Sequence, residues 1–369
     1  MSMTPPYPDR VLAAAGAIDR LLTVDLAARG VIDVLYTAAR RVQGDRSLCL
    51  LAAERLIDAV RPGDAVVIAT GLPIRGWFSP ALAENDGPAG AATLARALYA
   101  GLGAIPVLLC EEAIVPLLQA VARAAGLVVT TLAEWRAGQV SPAAVPGRHI
   151  PPAIVAGFPV DPAEAAEAAQ SLLRDLRPAA LIAIERQGAN ERGVYHYGKG
   201  EANLASVMAK FDVLFDQGRR TGVLTIGLGD GGNELGLGLI RDAIRDAIPF
   251  GARCACPCGA GIAPAFAAEV VVPATTCNWG AWGIEACLAL LTGRREVLHT
   301  PALERRVLRA CAAAGAMDGI TGFIEPDVDG IPGEVCAHVV EMLGWIVGAI
   351  AAAGAVPSGS VSLQERIAG

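Results

Sequence analysis

Seven short and almost wholly apolar runs recur along this chain, at 65–69, 105–109, 126–129, 153–156, 181–184, 223–226 and 270–272. Runs of that length without polar alternation predict strands covered on both faces, and parallel strands are the ones that require such cover. Between most of them lie alanine-rich stretches with helical spacing, at 89–100, 113–125, 162–176, 203–220, 235–247 and 281–291, and two more, at 301–314 and 333–353, finish the chain. Strand alternating with helix predicts an α/β fold, here an open, mostly parallel, doubly wound (Rossmann-like) sheet with helices on both faces. Ahead of residue 62 the spacing is helical only, clearest at 11–22 and 48–60, with Gly30 and Gly44 as breaks. The expected organisation is a helical N-terminal cap over 1–61 and an α/β domain over 62–369.

Composition narrows the function classes. A chain of 369 residues that is 53% hydrophobic has ample apolar surface for a large core. The formal charge of −7, with no basic run interleaved with aromatics, argues against a nucleic-acid partner. No run reaches the roughly 18 consecutive apolar residues of a spanning helix. Pro5, Pro6, Pro8 and Asp9 stand where a secretory signal would carry a basic head and an apolar stretch. These features predict a cytoplasmic protein with a small-molecule partner and no nucleic-acid or membrane partner; homo-oligomerisation stays open.

The nine cysteines lie mostly inside apolar stretches, where a free thiol behaves as a small hydrophobe. Cys254, Cys256 and Cys258 differ by alternating at period two. Zinc ligands usually follow C-x₂₋₄-C spacing and need a fourth donor, which does not stand beside them, so these thiols read first as structural or incidental, with a metal site as the second reading.

Chemistry concentrates after the apolar runs, because ligands of such sheets bind outside the carboxyl ends of the strands. Thr70, Gly71 and Arg75 follow the first run, and then Glu84-Asn-Asp-Gly-Pro-Ala-Gly90 opens a helix. Glu185, Arg186 and Gln187 follow the fifth. The sixth run leads into Gly227-Leu-Gly-Asp-Gly-Gly-Asn-Glu-Leu-Gly-Leu-Gly238, and the seventh into Thr275, Thr276, Asn278 and Trp279. Six glycines around Asp230, Asn233 and Glu234 predict a sharp turn whose bare amides approach a ligand, aimed by the N-terminus of a helix at 235–247.

Neighbouring signals carry less. Gly227-x-Gly229-x-x-Gly232 has the dinucleotide spacing, but the acid expected about 20 residues on is missing. In Gly193-Val-Tyr-His-Tyr-Gly-Lys-Gly200 a glycine replaces the Ser or Thr of a phosphate loop. Its Tyr195, His196, Tyr197 and Lys199 read either as a clamp for a substrate carboxylate or as a polar surface loop. His149, His299 and His338 are isolated and fit no catalytic order. Asp86 has a second reading as a helix cap before Pro88, and Asp318 as part of an Asp-Gly turn.

Taken in order, Ala69-Thr-Gly-Leu-Pro73, Glu84-Asn-Asp-Gly-Pro-Ala-Gly90, Ala183-Ile-Glu-Arg186, the glycine segment 226–238, Asn278-Trp-Gly280 and Met317-Asp-Gly-Ile-Thr-Gly322 resemble the D-glutamate cyclase C-terminal domain family. The resemblance covers roughly residues 65–322. Longer relatives carry an upstream domain resembling a hydro-lyase, so this chain looks like a stand-alone version. It departs from the family at Tyr195-His-Tyr-Gly-Lys199 and in the Cys254–Cys258 run.

The resemblance implies a lyase that cyclises D-glutamate to 5-oxo-D-proline with loss of water, or the reverse, on this or a related amino acid or lactam. That reaction needs a neutral amine, a protonated leaving hydroxyl and a stabilised oxyanion. Asp230 and Glu185, with Asp86, are the expected catalytic carboxylates. The substrate-binding set is Gly229, Gly231, Gly232, Asn233, Glu234, Arg186, Thr70, Asn278 and Asp318, with the amides of Gly231, Gly232 and Asn233 and the Arg186 guanidinium expected on the α-carboxylate. Asp86, Glu185, Asp230 and Asp318 offer hard oxygen donors suited to Mn2+ or Mg2+. The alternative is a non-catalytic, Rossmann-like binder of a small metabolite or nucleotide.

Overall fold

A computed structural model describes residues 7–138, 150–202 and 205–352. His149, residues 203–204 at the start of the expected 203–220 helix, and residue 353 lie outside the described residues. Seven strands form a single sheet: β1 Ala65–Ala69, β2 Ile105–Glu111, β3 Val128–Thr130, β4 Pro152–Phe158, β5 Ala180–Ile184, β6 Leu224–Gly229 and β7 Val270–Pro273. Their order is β3-β4-β2-β1-β5-β6-β7, and every pairing is parallel. Each apolar run overlaps one of these strands, although the third gives only Val128 and Val129 to β3, where Val128 is exposed rather than covered on both faces. β1, β2, β5, β6 and β7 are buried along their whole length, which is why they carry no polar alternation.

The helices pack around this sheet. The N-terminal ones, Asp9–Leu22, Ile32–Val42 and Leu48–Ala59, contribute Val11, Leu35 and Leu56 to the same hydrophobic core as the strands. Cys277–Thr292 is almost wholly buried and lies against Pro88–Leu102 and Leu48–Ala59, with Trp279 and Trp282 fully enclosed. Gly333–Ala352 is long and apolar enough to cross a membrane by length and composition. It packs on Asp9–Leu22, Cys277–Thr292 and Pro301–Ala313, burying Val340 and Leu343 in the shared core.

One expected helix starts late. The spacing predicts a helix from Leu235, yet the chain stays irregular until a 3-10 turn at Gly238–Ile240 and a short helix at Arg241–Ala247. Gly236 takes φ +107°, and its Cα lies so close to Gly227 that a side chain at either position would strike the other segment. Leu235 and Leu237, two residues apart, are both fully buried, and the Leu235 amide donates to the Arg186 carbonyl at 2.6 Å. The glycine turn is therefore tied to the exit of β5 and does not open a helix.

The strand order places β1 beside β5 at the centre. On one side of β1 lie β2, β4 and β3, and on the other β5, β6 and β7 follow in chain order. In open α/β sheets such a reversal leaves a crevice at the carboxyl ends, where loops diverge to opposite sides. Thr70 and Gly71 leave β1 here, and Glu185 and Arg186 leave β5.

Candidate active site

A cavity of about 500 Å³ opens over this point, lined by Leu72, Ile74, Arg75, Glu84, Glu185, Tyr197, Lys199, Asp230, Gly231, Asn233, Glu234, Gly319, Ile320 and Asp329, and also by Arg29. Its size suits a small metabolite. Six acids stand in its walls: Glu84, Glu185, Glu201, Asp230, Glu234 and Asp329. Glu185 follows β5 with φ 49°, a left-handed conformation that a side-chain-bearing residue seldom takes. Gly87, at φ +95°, lets the loop after β1 press against it, since a Cβ there would meet the Glu185 Cβ at 2.8 Å and the Thr70 hydroxyl at 2.9 Å.

Carboxylate oxygens of Asp86, Glu185 and Asp230 and the Cys277 sulfur all lie within 4.8 Å of one another. Asp86 accepts the amides of Cys277 at 2.7 Å and Asn278 at 2.8 Å, so it caps the helix Cys277–Thr292 while facing the other two acids. Asp230 receives Arg29 Nη2 at 2.7 Å. Glu185 Oε2 is buried with no hydrogen-bond partner. An orphaned buried oxygen among like charges marks a place where a proton, a cation or a substrate donor is wanted.

The electrostatics follow from burial without enough counter-charge. Desolvation, then Asp86, raises Glu84 to about 8. Desolvation, then Asp230, raises Asp86 to about 7, although the amides of Asn278 and Cys277 pull it down. Glu234 rises to about 8 through burial and Asp230. Burial, with Asp230 next, pushes both Glu185 and Asp329 well above the usual carboxylate range. Carboxyls held this high exchange protons near neutral pH, which suits acid–base work.

Other residues of the sequence-derived set have different surroundings. Glu234 accepts the amides of Gly231 at 2.7 Å and Gly232 at 2.8 Å, and that of Asp230 at 3.2 Å. Its carboxylate thus fills the nest that the sequence offers to a substrate α-carboxylate. Gly229 approaches that carboxylate so closely that a Cβ would lie 2.6 Å from Oε2. Arg186 is fully buried and makes a two-pronged pair with Glu111 at 2.7 and 2.9 Å, and donates to the Gly71 carbonyl. It braces β5 against β2 and the end of β1 and does not line the cavity. Asn278 accepts the amides of Gly87 at 2.9 Å and Gly90 at 2.7 Å, holding the start of Pro88–Leu102. Asp318 accepts the amides of Ile320, Thr321 and Gly330, so its carboxylate shapes the loop after Met317 and does not join the Asp86–Glu185–Asp230 group. Thr70 lies under the turn at Gly87, while Asn233 lines the cavity and donates to the His196 carbonyl at 2.8 Å.

Arg29 and Asp329 are the site residues that sequence reasoning missed. Arg29 lies between two N-terminal helices, in a segment without periodic signal. Asp329 sits in an Asp-Gly pair that reads as a turn, and only its left-handed φ of 52° and half-buried position among acids set it apart.

A parallel α/β sheet with a carboxylate-rich cavity at its central reversal point is an arrangement suited to a small-molecule ligand and to proton transfer or divalent-metal chemistry. The chain belongs to the D-glutamate cyclase-like C-terminal family, whose model matches residues 18–344. It is similar to the human protein "D-glutamate cyclase, mitochondrial", with 28% identity over 296 residues, 73% of this chain. The chain spans 43% of that relative's length.

Proposed function

We propose that the cavity interconverts D-glutamate, or a closely related amino acid, with its five-membered lactam by loss or gain of water. The observation that carries this reading is the meeting of Glu185 and Asp230 beside one cavity, one carboxyl driven upward by burial and the other paired with a guanidinium. The family and the human relative supply the substrate class.

In the cyclising direction the substrate amine gives up a proton and its nitrogen attacks the γ-carboxyl carbon. A C–N bond forms, a C–O bond breaks, and the departing hydroxyl takes a proton to leave as water. Asp230, paired with Arg29, accepts the amine proton. Glu185, whose burial favours the protonated form, donates to the leaving oxygen; reversed roles serve lactam hydrolysis. Arg75 and Lys199 on the cavity wall are the cations available to the α-carboxylate. Holding the substrate curled supplies a further part of the acceleration, since ring closure becomes intramolecular positioning.

The buried acids also fit a hard divalent cation, because the unpartnered Glu185 Oε2 and the oxygens of Asp86 and Asp230 form a compact oxygen-rich set. Those residues would hold Mn2+ or Mg2+, whose chemistry when bound is to polarise the γ-carboxyl. Chiral chromatography of reactions begun from D-glutamate and from 5-oxo-D-proline, with and without chelator, tests the proposal. Interconversion that collapses in Asp230→Asn supports it; a wild-type chain that turns over neither compound, with or without added Mn2+ or Mg2+, rejects it.

A further inference from the structure

Outside the acidic cavity a second constellation has no part in the proposed reaction. Cys254, Cys256 and Cys258 fold back on His196, which lies far upstream in the loop leading to the cavity wall. His196 Nε2 is 3.2 Å from Cys256 Sγ and 3.6 Å from Cys258 Sγ. Cys254 Sγ is 3.5 Å from Cys256 Sγ and 3.3 Å from Cys258 Sγ. All four donor atoms lie within 4.8 Å of one another. No fourth donor stands beside these thiols in the sequence; the fold brings one in. Cys254 and Cys258 by themselves also keep the C-x₃-C interval that zinc sites use.

We propose that Cys254, Cys256, Cys258 and His196 bind one Zn2+ as a closed structural site. A tetrahedral zinc with bonds of about 2.3 Å to sulfur and 2.0 Å to nitrogen has ligand–ligand edges of about 3.5–3.8 Å. The four contacts of 3.2–3.6 Å lie within a few tenths of an ångström of those edges, so insertion of the ion needs only a small adjustment. Three thiolates and one imidazole complete the coordination, leaving no open position for a water or substrate. Binding converts three thiols to thiolates and releases their protons, with no change in oxidation state.

The surroundings support the assignment. Asn190 Nδ2 donates to Cys258 Sγ at 3.4 Å and to the Gly261 carbonyl at 2.7 Å, while its Oδ1 accepts the amides of Arg192 and Val194. One buried amide thus ties the thiol segment to the loop that carries the histidine, as outer-shell groups of metal sites do. The Ala255 amide donates to the Gly200 carbonyl at 2.9 Å, closing the other side. Tyr197 and Lys199, next to His196, line the cavity. A zinc here would fasten that wall to residues 254–258 without touching the reacting groups.

The test is independent of turnover. The full chain, expressed with zinc in the medium and purified without chelator, should carry about one zinc per chain by mass-spectrometric metal analysis. Replacement by Co2+ should give the intense visible bands of a tetrahedral site and a near-ultraviolet thiolate charge-transfer band. His196→Cys should keep the metal and strengthen the charge-transfer band, whereas Asn190→Ala should weaken zinc binding roughly 10–100-fold. The wild-type cobalt spectrum decides the matter even where a variant fails to fold. A chain that takes up no zinc, that carries iron at this site, or that shows a disulfide among these cysteines overturns the proposal.

Discussion

Arg29 donates to Asp230 Oδ2 at 2.7 Å across 201 positions of sequence, joining an N-terminal segment to the glycine turn after β6. The Arg29 side chain is 32% exposed, so the pair adds little to stability, about 1 kcal/mol or less after solvent screening. Its effect falls on Asp230. Without Arg29 the Asp230 side chain loses the partner that positions it, so Arg29→Gln should lower turnover by up to about 10²-fold. Steady-state kinetics checks this, and unchanged turnover would separate Arg29 from the reaction.

Glu185→Gln removes the proposed acid while keeping its shape. Turnover should fall roughly 10²–10⁴-fold. In metal-free buffer near pH 8 the same variant should melt at a higher temperature, because a neutral amide replaces a carboxyl crowded by Asp230 and Asp86. Loss of activity with gained thermal stability is the combined signature; loss of both would mark a purely structural residue.

The raised acids also fix how stability varies with pH. Glu84, Asp86 and Glu234 bind protons more tightly in the folded chain, at about 8, 7 and 8, than the roughly 4 of unfolded carboxyls. Their contribution is full below about pH 4 and is lost as pH rises through 7–8. Thermal unfolding in metal-free buffer should show a lower midpoint at pH 8.5 than at pH 5.5. Added Mn2+ should recover more of it at the higher pH, where it no longer competes with protons.

How much of this was legible in the sequence depends on the range of the interaction. Strands such as β1 and β5 declare themselves, since burial on both faces demands an unbroken apolar run. Asp86, Glu185 and Asp230 could be gathered because each follows a strand of one parallel sheet, whose carboxyl ends meet at one edge. The helix expected from Leu235 failed because apolar spacing does not register the close approach of Gly236 to Gly227. Arg186 looked like a ligand because it follows Glu185 in the chain; its partner Glu111 ends β2, and only the strand order brings them together. Arg29 and the pairing of His196 with the cysteines are long-range contacts with no local signature.

Arg186→Met should act on the fold. Breaking its buried pair with Glu111 leaves an unpaired carboxylate and should cost about 3–5 kcal/mol in urea unfolding. KM of the folded fraction should stay near the wild-type value; a large rise in KM at unchanged stability would return Arg186 to the substrate.

His299 lies fully buried between Glu285 at 2.7 Å and Glu304 at 2.9 Å. Burial pushes its imidazole down, but the two carboxylates overcome that and raise it to about 10. Its stabilising contribution is full below the unfolded value of about 6.5 and is lost as pH rises through 10. Chemical denaturation of His299→Gln should therefore show a larger loss at pH 6 than at pH 10, and equal losses would exclude a charged imidazole.

The central claim is that the cavity between the ends of β1 and β5 holds the reacting amino acid against Glu185 and Asp230. A crystal structure of Glu185→Gln with D-glutamate tests this most directly. The account predicts the γ-carboxyl within about 2.6–3.2 Å of the side chain at position 185 and the amine within the same reach of Asp230. Density for the amino acid elsewhere on the protein, or in the cavity with both groups turned away from these residues, would contradict it.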